Sequence, residues 1–302
     1  MQAKETIQRL KAEKRAIILA HNYQPPEIQD IADFVGDSLG LSMKAASTDA
    51  EVIVFCGVDF MAESAKVLNP SKVVLLPEPE ARCPMAAMCD AETLRMVKEK
   101  YPAAAVVAYV NTSAAVKTEA DICCTSSNAV KVVGSLANKE VIFVPDCNLG
   151  KYVQRFFPEK DILIWPGFCA THDGIAAQDI LEMRKRHPDA VVLVHPECRP
   201  EVIDIADKIA STEGMLRFAK ASSEHEFIIV TERDMTYRLS KENPEKRFYS
   251  IPTAICPTMK MITLEKVIRS LETLEPRMEL SEDVMAKARR PLEKMMEIGR
   301  GD

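Results

Sequence analysis

The feature that most constrains the fold of this chain is an internal repeat with a period of 86 to 88 residues. Pro70, Pro158 and Pro244 are 88 and 86 residues apart, and a lysine follows two residues after each of them. A repeat of this kind indicates several copies of one supersecondary unit that pack together and share a core. In a chain of 302 residues it predicts three copies.

The repeat places the predicted domain boundaries near residues 85 and 171. The three predicted units are residues 1–85, 86–171 and 172–261. In residues 262–302, apolar residues recur at helical spacing in Ile262–Leu271 and Val284–Met296. We therefore predict two helices there, which pack back on the first unit.

Each unit alternates continuous apolar runs with helical patterns. Runs such as Val52–Phe55, Val141–Val144 and Phe227–Val230 are rich in β-branched residues. This pattern favours parallel strands that are buried on both faces and connected by helices. The predicted fold class is α/β, with three parallel-sheet domains related by a pseudo-threefold axis. Helices are predicted at Met1–Lys14, Pro26–Phe34, Leu39–Ser47 and Phe60–Val67.

Composition and charge exclude several classes of protein. Hydrophobic residues make up 47% and charged residues 28% of the chain, which is typical of a globular protein and excludes a disordered or fibrous one. The net charge of −6 is not offset by a basic run, which argues against nucleic acid as a partner. The longest apolar run, Ala103–Val110, is too short to span a bilayer. We expect a cytoplasmic protein without a membrane partner.

Three sets of polar residues recur in register, and each set is polar in all three units. The sets are His21, Tyr109 and His195; Tyr23, Asn111 and Glu197; and Ser38, Ser126 and Thr212. The first set follows apolar runs, and the third stands where the next helix is predicted to start. Parallel sheets bind ligands beyond the carboxyl ends of their strands, where helix N-termini attract anions. We therefore expect these sets to converge on one ligand.

A simpler interpretation exists for single members of these sets. A hydroxyl at a helix start often only caps the helix, and a lone histidine after a strand is commonly structural. Recurrence in three units argues against both. Because few arginines lie near the motifs, we expect hydroxyl and backbone N–H groups to hold a carboxylate or phosphate.

Cys83, Cys169 and Cys256 form a fourth recurring set, 86 and 87 residues apart. Each follows an apolar run in a segment with the character of a turn. Three equivalent loops around a pseudo-threefold axis can place three thiolates around one point. Three thiolates leave one iron of a [4Fe–4S] cluster without a protein ligand, and such an iron is a Lewis acid. A zinc site with three cysteines is the competing interpretation, and the spacing leaves both open.

The other six cysteines have no equivalents in register. Four lie in or beside apolar strands and are predicted to be small buried side chains: Cys56, Cys123, Cys124 and Cys147. Cys89 and Cys198 have no counterparts in the other units. The sequence contains no C-x-x-C, which counts against a structural zinc site and a thioredoxin-like pair.

Seven short motifs together resemble those of the quinolinate synthase family, and the resemblance covers nearly the whole chain. They are HNYQ at 21–24, GDSL at 36–39, YVN at 109–111, TSSNA at 125–129, HPEC at 195–198, AST at 210–212 and CPTMK at 256–260. The resemblance implies three pseudo-threefold-related α/β domains around a central [4Fe–4S] cluster held by Cys83, Cys169 and Cys256. The cysteine-rich C-terminal motif of some relatives is absent, so the third ligand depends on Cys256 alone.

The resemblance also implies an activity in NAD biosynthesis. The expected reaction condenses iminoaspartate with dihydroxyacetone phosphate to quinolinate, with release of phosphate and water. An aspartate oxidase or dehydrogenase that supplies iminoaspartate is the expected functional partner. The implied substrate contacts are His21, Ser38, Tyr109, Asn111, Ser126, His195, Glu197 and Thr212.

Four of the motif residues can move protons: Glu197, Tyr23, His21 and His195. Glu197 is the only carboxylate in its set, so we predict that it is the base that removes a proton from carbon. Three alternatives remain at this point: another [4Fe–4S] hydro-lyase, a non-catalytic iron–sulfur redox sensor and a zinc hydrolase that uses the same thiolates.

Overall fold

A computed structural model describes residues 2–302 and contains three four-stranded parallel sheets. The first sheet is formed by β1 (Ala16–His21), β2 (Phe34–Gly36), β3 (Val52–Cys56) and β4 (Val73–Leu75). The second is formed by β5 (Ala105–Tyr109), β6 (Ile122–Cys124), β7 (Glu140–Val144) and β8 (Asp161–Ile164). The third is formed by β9 (Val191–Val194), β10 (Lys208–Ile209), β11 (Glu226–Val230) and β12 (Arg247–Ser250). The α/β class with parallel sheets is confirmed.

Helices connect the strands in all three units. The first unit contains α1 (Gln2–Lys14), α2 (Pro26–Gln29), α3 (Ser38–Ser47) and α4 (Asp59–Leu68). The second contains α5 (Ala91–Lys100), α6 (Ala114–Lys117), α7 (Ala129–Ser135) and α8 (Cys147–Gln154). The third contains α9 (Ala170–Asp173), α10 (Ala177–Arg186), α11 (Pro200–Ile203), α12 (Thr212–Ala221) and α13 (Met235–Glu242), and α14 (Leu264–Thr273) and α15 (Glu282–Ile298) follow. Two 3₁₀ turns lie at Ala86–Met88 and Thr258–Lys260.

The strand order is the same in every sheet: second, first, third, fourth. The same side-chain contact also recurs beside each first strand. The carboxylates of Asp33, Asp121 and Asp207 each accept a hydrogen bond of 2.8 Å from a strand N–H, at Ile18, Val106 and Val192. These aspartates are themselves 88 and 86 residues apart, so the repeat that is visible in the sequence extends to hydrogen bonds.

The repeated lysines now have a structural explanation. Lys72, Lys160 and Lys246 each donate to the carbonyl at the C-terminal end of a helix, at Thr48, Leu136 and Ser222. A cation at that end satisfies a carbonyl that the helix leaves unpaired and opposes the negative end of the helix dipole. Each lysine therefore fixes one helix against the loop that precedes the fourth strand.

The predicted helix at Pro26–Phe34 is too long. Pro26 occupies the first turn of α2, where a missing N–H costs little, but the helix ends at Gln29. Phe34 begins β2 and pairs with Leu19 of β1. The prediction at Met1–Lys14 agrees with α1 from Gln2 onward, and Met1 lies outside the described residues.

The last two helices cover more than one unit. α14 packs against α1 and β3, and α15 packs against α4 of the first unit as well as against β6, α6 and α7 of the second. The domain boundaries near residues 85 and 171 stay a prediction. Within residues 2–302, no helix combines the length and apolar character needed to cross a membrane.

Candidate functional site

One central cavity brings together all the side chains that the sequence analysis singled out. They are His21, Tyr23, Ser38, Cys83, Tyr109, Asn111, Ser126, Cys169, His195, Glu197, Thr212 and Cys256. The cavity has a volume of about 70 Å³. The site is thus narrow, and any ligand must fit tightly between these side chains. The role of each residue remains a prediction.

The parallel sheets explain why residues from distant parts of the sequence meet. His21 is the last residue of β1 and Tyr109 the last residue of β5, whereas His195 directly follows β9. The carboxyl ends of parallel strands share one edge of a sheet, and side chains beyond that edge line a common crevice.

The three hydroxyls, which we call the hydroxyl set, lie at or beside the starts of helices. Ser38 is the first residue of α3 and Thr212 the first residue of α12, and Asp37 and Ser211 cap these two helices by accepting from the N–H groups of Gly40 and Gly214. The capping role is therefore already filled, which leaves the Ser38 hydroxyl for another contact. The Thr212 hydroxyl accepts from the side chain of Asn22 at 2.8 Å and keeps its own O–H to donate. Ser126 lies 3.2 Å from Nε2 of His195.

Glu197 is the most densely contacted carboxylate of the site. Its side chain is buried, and the hydroxyl of Tyr109 donates to Oε1. Oε2 lies 2.8 Å from Nδ1 of His172. Burial by itself would raise the pKa of Glu197, but His172, His195 and the Tyr109 hydroxyl stabilise the anion and lower the pKa to about 2. The structure thus favours an ionised Glu197 at neutral pH.

His172 belongs to the site, although the sequence analysis missed it. Its Nδ1 lies 3.2 Å from Sγ of Cys169, and its Nε2 lies 2.8 Å from the hydroxyl of Thr231. The Thr231 hydroxyl is 2.6 Å from the hydroxyl of Tyr23. His172 therefore connects a cysteine to Glu197 and Tyr23. His172 has no histidine counterpart in the other units, so the repeat could not indicate it. The sequence feature that could have done so is its position one helical turn after Cys169.

Burial keeps the other two histidines uncharged. Desolvation lowers the pKa of His21 to about 4 and that of His195 to about 3. Desolvation likewise raises the pKa values of Tyr23 and Tyr109 well above their ordinary value. At neutral pH these four groups are neutral, so they do not offset the negative charge of the ionised Glu197.

The three cysteines, which we call the thiol set, each lie beside a carboxylate of their own unit. Asp59 accepts from the backbone N–H of Cys83 at 3.0 Å, and Glu232 accepts from that of Cys256 at 3.4 Å. In the second unit the equivalent Asp146 lies near the backbone N–H of Cys169, and its Oδ1 accepts from the N–H of Leu149 at 2.7 Å. These acids lie just beyond the third strand of each unit, 87 and 86 residues apart. Their register in the sequence could have revealed them.

The thiol set faces the cavity, and its electrostatics differ from those of the hydroxyl set. Burial raises the pKa of Cys83 to about 12 and that of Cys169 well above its ordinary value. Both are protonated at neutral pH unless a cation compensates the desolvation. Within residues 2–302, Cys169, His172 and Glu197 form the one group of at least three metal-binding residues whose ligand atoms all lie within 4.8 Å of one another.

The remaining cysteines lie away from the cavity. Cys56, Cys123 and Cys124 are buried in β3 and β6, as predicted, and Cys89 and Cys198 are buried as well. The prediction that Cys147 is buried is wrong. Cys147 is the first residue of α8, and this position leaves it partly exposed.

Comparison with known proteins identifies the family. The model of the family described as Quinolinate synthetase A protein matches residues 5–297. The chain belongs to this family. Quinolinate synthases from Thermodesulfovibrio yellowstonii and Methanosarcina barkeri are each 53% identical to it over 295 residues, which cover 97% of both chains. Quinolinate synthase from Caldicellulosiruptor bescii is 51% identical over 297 residues, 98% of both chains.

The membership confirms the family that the seven sequence motifs indicated. As a member of the quinolinate synthetase A family, the chain is an enzyme of quinolinate formation in NAD biosynthesis and acts on small molecules. The match from residue 5 to residue 297 includes every residue of the cavity.

Proposed function

We propose that the chain condenses iminoaspartate with dihydroxyacetone phosphate to give quinolinate, phosphate and water. The observation that carries the proposal is the convergence of four repeat-equivalent sets of side chains on one cavity in a member of this family. Both substrates are anions that carry several oxygen acceptors. The hydroxyl, imidazole and amide groups that line the cavity can donate hydrogen bonds to such oxygens.

We propose that the thiol set holds a [4Fe–4S] cluster with one iron free of protein ligands. Three cysteines from three separate loops face the same space. Around a single zinc ion, with Zn–S bonds of about 2.3 Å, the three sulfurs would lie roughly 4 Å apart. The three sulfurs of the thiol set, all within residues 2–302, do not all lie within 4.8 Å of one another. That wider arrangement supports a cluster, which distributes its thiolates over different irons.

When bound, the cluster would supply a Lewis-acidic iron that polarises a departing hydroxyl in the dehydration. Cys83, Cys169 and Cys256 would provide its protein ligands. His172 and Glu197 lie beside Cys169, so the groups that handle protons are next to this position. Their proximity supports a shared site for condensation and dehydration.

The hydroxyl set, His21, Asn111 and Tyr109 are proposed to hold the substrates. The side-chain oxygen of Asn111 is buried and has no hydrogen-bond partner, although it lines the cavity. A buried polar atom without a partner commonly marks a ligand position. No lysine or arginine lines the cavity within residues 2–302. The starts of α3 and α12 therefore offer the positive end of a helix dipole to a carboxylate or phosphate instead.

Glu197 is the proposed base that removes a proton from carbon, and Tyr23, His21 and His195 are the proposed partners in proton transfer. Glu197 is buried and ionised, and it faces the cavity between Tyr109 and His172. Tyr23, as a neutral phenol, can act as an acid. His195 stacks on His172 with ring centroids 4.6 Å apart, and its Nε2 approaches Ser126. This contact suits a histidine that exchanges a proton with a substrate held by the serine.

We further propose that the units 1–85, 86–171 and 172–261 are related by a pseudo-threefold axis that passes through the cavity. The common strand order and the recurring aspartate and lysine contacts support this arrangement. We also propose a cytoplasmic location and a functional link to an aspartate oxidase or dehydrogenase, because iminoaspartate hydrolyses readily and needs a nearby source.

Anaerobic purification tests the proposal. We expect a brown protein with about four iron and four sulfide per chain, which forms quinolinate from dihydroxyacetone phosphate and freshly generated iminoaspartate. A colourless protein with one zinc would contradict the cluster and favour a zinc hydrolase. An iron–sulfur protein that forms no quinolinate would instead favour another hydro-lyase or a redox sensor.

A further inference from the structure

The segment 299–302, which follows α15, contacts all three units at one kind of position. In the first unit, the guanidinium of Arg300 forms a two-pronged ion pair with Asp37, with N–O distances of 2.6 and 2.7 Å. Asp37 caps α3 and immediately precedes Ser38. A two-pronged pair of this kind fixes direction as well as distance. Arg300 therefore fixes the residue next to the first hydroxyl of the hydroxyl set.

The second unit is held through the backbone of the segment. The N–H of Gly301 donates to the carbonyl of Ser127 at 2.9 Å, and the side chain of Asn128 donates to the carbonyl of Gly299 at 3.0 Å. Ser127 and Asn128 directly follow Ser126. The segment donates the first of these hydrogen bonds and accepts the second, so both bonds hold the loop that carries Ser126.

The third unit is held through Asp302. Its Oδ2 accepts from the backbone N–H of Ser211 at 2.7 Å, and its Oδ1 lies 3.1 Å from the guanidinium of Arg217. Ser211 caps α12 and immediately precedes Thr212. The side chain of Asp302 is only 18% exposed, so the carboxylate is held within the contact.

Small residues make this approach possible. A Cβ on Gly214 would lie 2.5 Å from Oδ2 of Asp302, and a Cβ on Gly40 would lie 3.0 Å from the guanidinium of Arg300. A Cβ on Gly301 itself would lie 2.9 Å from the carbonyl oxygen of Ser127. Gly40 and Gly214 each stand two residues after a hydroxyl of the set, and Asn128 has the equivalent place in the second unit. The segment therefore meets the same repeat position three times.

We propose that Arg300 and Asp302 are positioning residues that hold the three hydroxyls of the hydroxyl set in place to contact the substrates. The proposal rests on the proposed function, since it takes Ser38, Ser126 and Thr212 as substrate contacts. α15 already anchors the preceding chain on the first two units, so holding these units together does not require four more residues. Residues 299–302 instead contact the loops and helix starts that carry the hydroxyls, together with Lys131 and Arg217 of the same helices.

The decisive experiment uses the Asp302→Asn and Gly214→Ala variants of the cluster-loaded enzyme. Asp302→Asn removes the charge that strengthens the hydrogen bond from Ser211 and the ion pair with Arg217, and Gly214→Ala displaces the carboxylate. We therefore expect each to raise KM about tenfold, the effect of one charge-assisted hydrogen bond, while kcat falls less. Since both act on one contact, the double variant should show no further increase in KM. Ala favours a helix over Gly, so Gly214→Ala should bind substrate more weakly without a loss of thermal stability.

Glu297→Gln is the matched control, because it removes a carboxylate from an exposed position in the same region. It should leave KM unchanged. A purely structural segment would give the opposite pattern: a lower melting temperature with KM unchanged, or independent effects of Gly214→Ala and Asp302→Asn. Either result would overturn the positioning role. If the parent enzyme forms no quinolinate, the proposed function is wrong. The positioning role is then tested by titrating the parent and the variants with dihydroxyacetone phosphate. Equal binding of dihydroxyacetone phosphate by all of them would contradict the positioning role.

Discussion

The thiol set and the hydroxyl set line the same cavity, but the structure holds them in different ways. Each cysteine loop lies against a carboxylate of its own unit, Asp59, Asp146 or Glu232. The three hydroxyls are next to residues that are all tied to the single segment 299–302. Loss of one of these carboxylates should therefore disturb a single cysteine loop, whereas loss of the segment should reach all three hydroxyls.

The largest expected effect tests whether the thiol set acts as one site. Replacing any one of Cys83, Cys169 and Cys256 by Ser should abolish both cluster assembly and activity, because the cluster loses a ligand that no other residue replaces. Iron and sulfide analysis after anaerobic purification measures this. Cys56→Ser and Cys147→Ser are the controls, since these cysteines do not line the cavity, and they should keep their iron. Full iron loading in Cys83→Ser would remove the proposed ligand set.

The next effect concerns the carboxylate that lies beside the thiol set. Glu197→Gln keeps the shape of the side chain but removes its basicity, so we expect turnover to fall by roughly 10²–10⁴. Iron content and substrate binding should persist, because Gln can still accept from Tyr109. Steady-state assays with both substrates, together with iron analysis, separate these outcomes. Turnover near that of the parent would show that Glu197 only orients its neighbours.

A smaller effect is expected at the hydroxyl set. Ser126→Ala and Thr212→Val should each raise KM about tenfold, the value of one hydrogen bond to a charged ligand, and leave the iron content intact. Ser47→Ala, at the exposed end of α3, is the matched control. If Ser126→Ala instead lost the cluster, the separation between the two sets would be broken.

The effect that is smallest at neutral pH concerns stability, and it appears only in acid. Burial lowers the pKa of His21 to about 4, below its ordinary value of 6.5. Between these two values the unfolded chain binds more protons than the folded one, so stability is complete above pH 6.5 and is lost as the pH falls toward 4. The loss from His21 is about 3 kcal/mol. Urea unfolding should show a weaker pH dependence for His21→Asn than for the parent, whereas His225→Asn, at an exposed position, should match the parent.

The cavity residues that recur at the repeat spacing could be predicted from the sequence. Ser38, Ser126 and Thr212 are found together because offsets of 88 and 86 residues place them at equivalent helix starts. His172 was missed because it belongs to one unit only and gains its importance from contacts to Cys169 and Glu197. These contacts depend on how the short helix α9 turns its side chains, and no periodic pattern encodes that direction.

Contacts between distant parts of the chain were equally hidden. Arg300 and Asp37 are 263 residues apart in the sequence, and neither belongs to a recurring pattern that would pair them. The length of α2 was overestimated for a related reason. Its apolar residues suit a helix, but Phe34 forms hydrogen-bonded pairs in β2 that only the complete sheet provides.

The contacts that Lys72, Lys160 and Lys246 make with helix ends have a consequence for how such an enzyme can diversify. Each lysine fixes the same helix end in its own unit, so the scaffold is maintained three times over by residues remote from the cavity. The positions occupied by Tyr23, Asn111 and Glu197 are not needed for these scaffold contacts, so the three units can carry different side chains there. Three copies of one scaffold thus enclose a cavity whose lining is asymmetric.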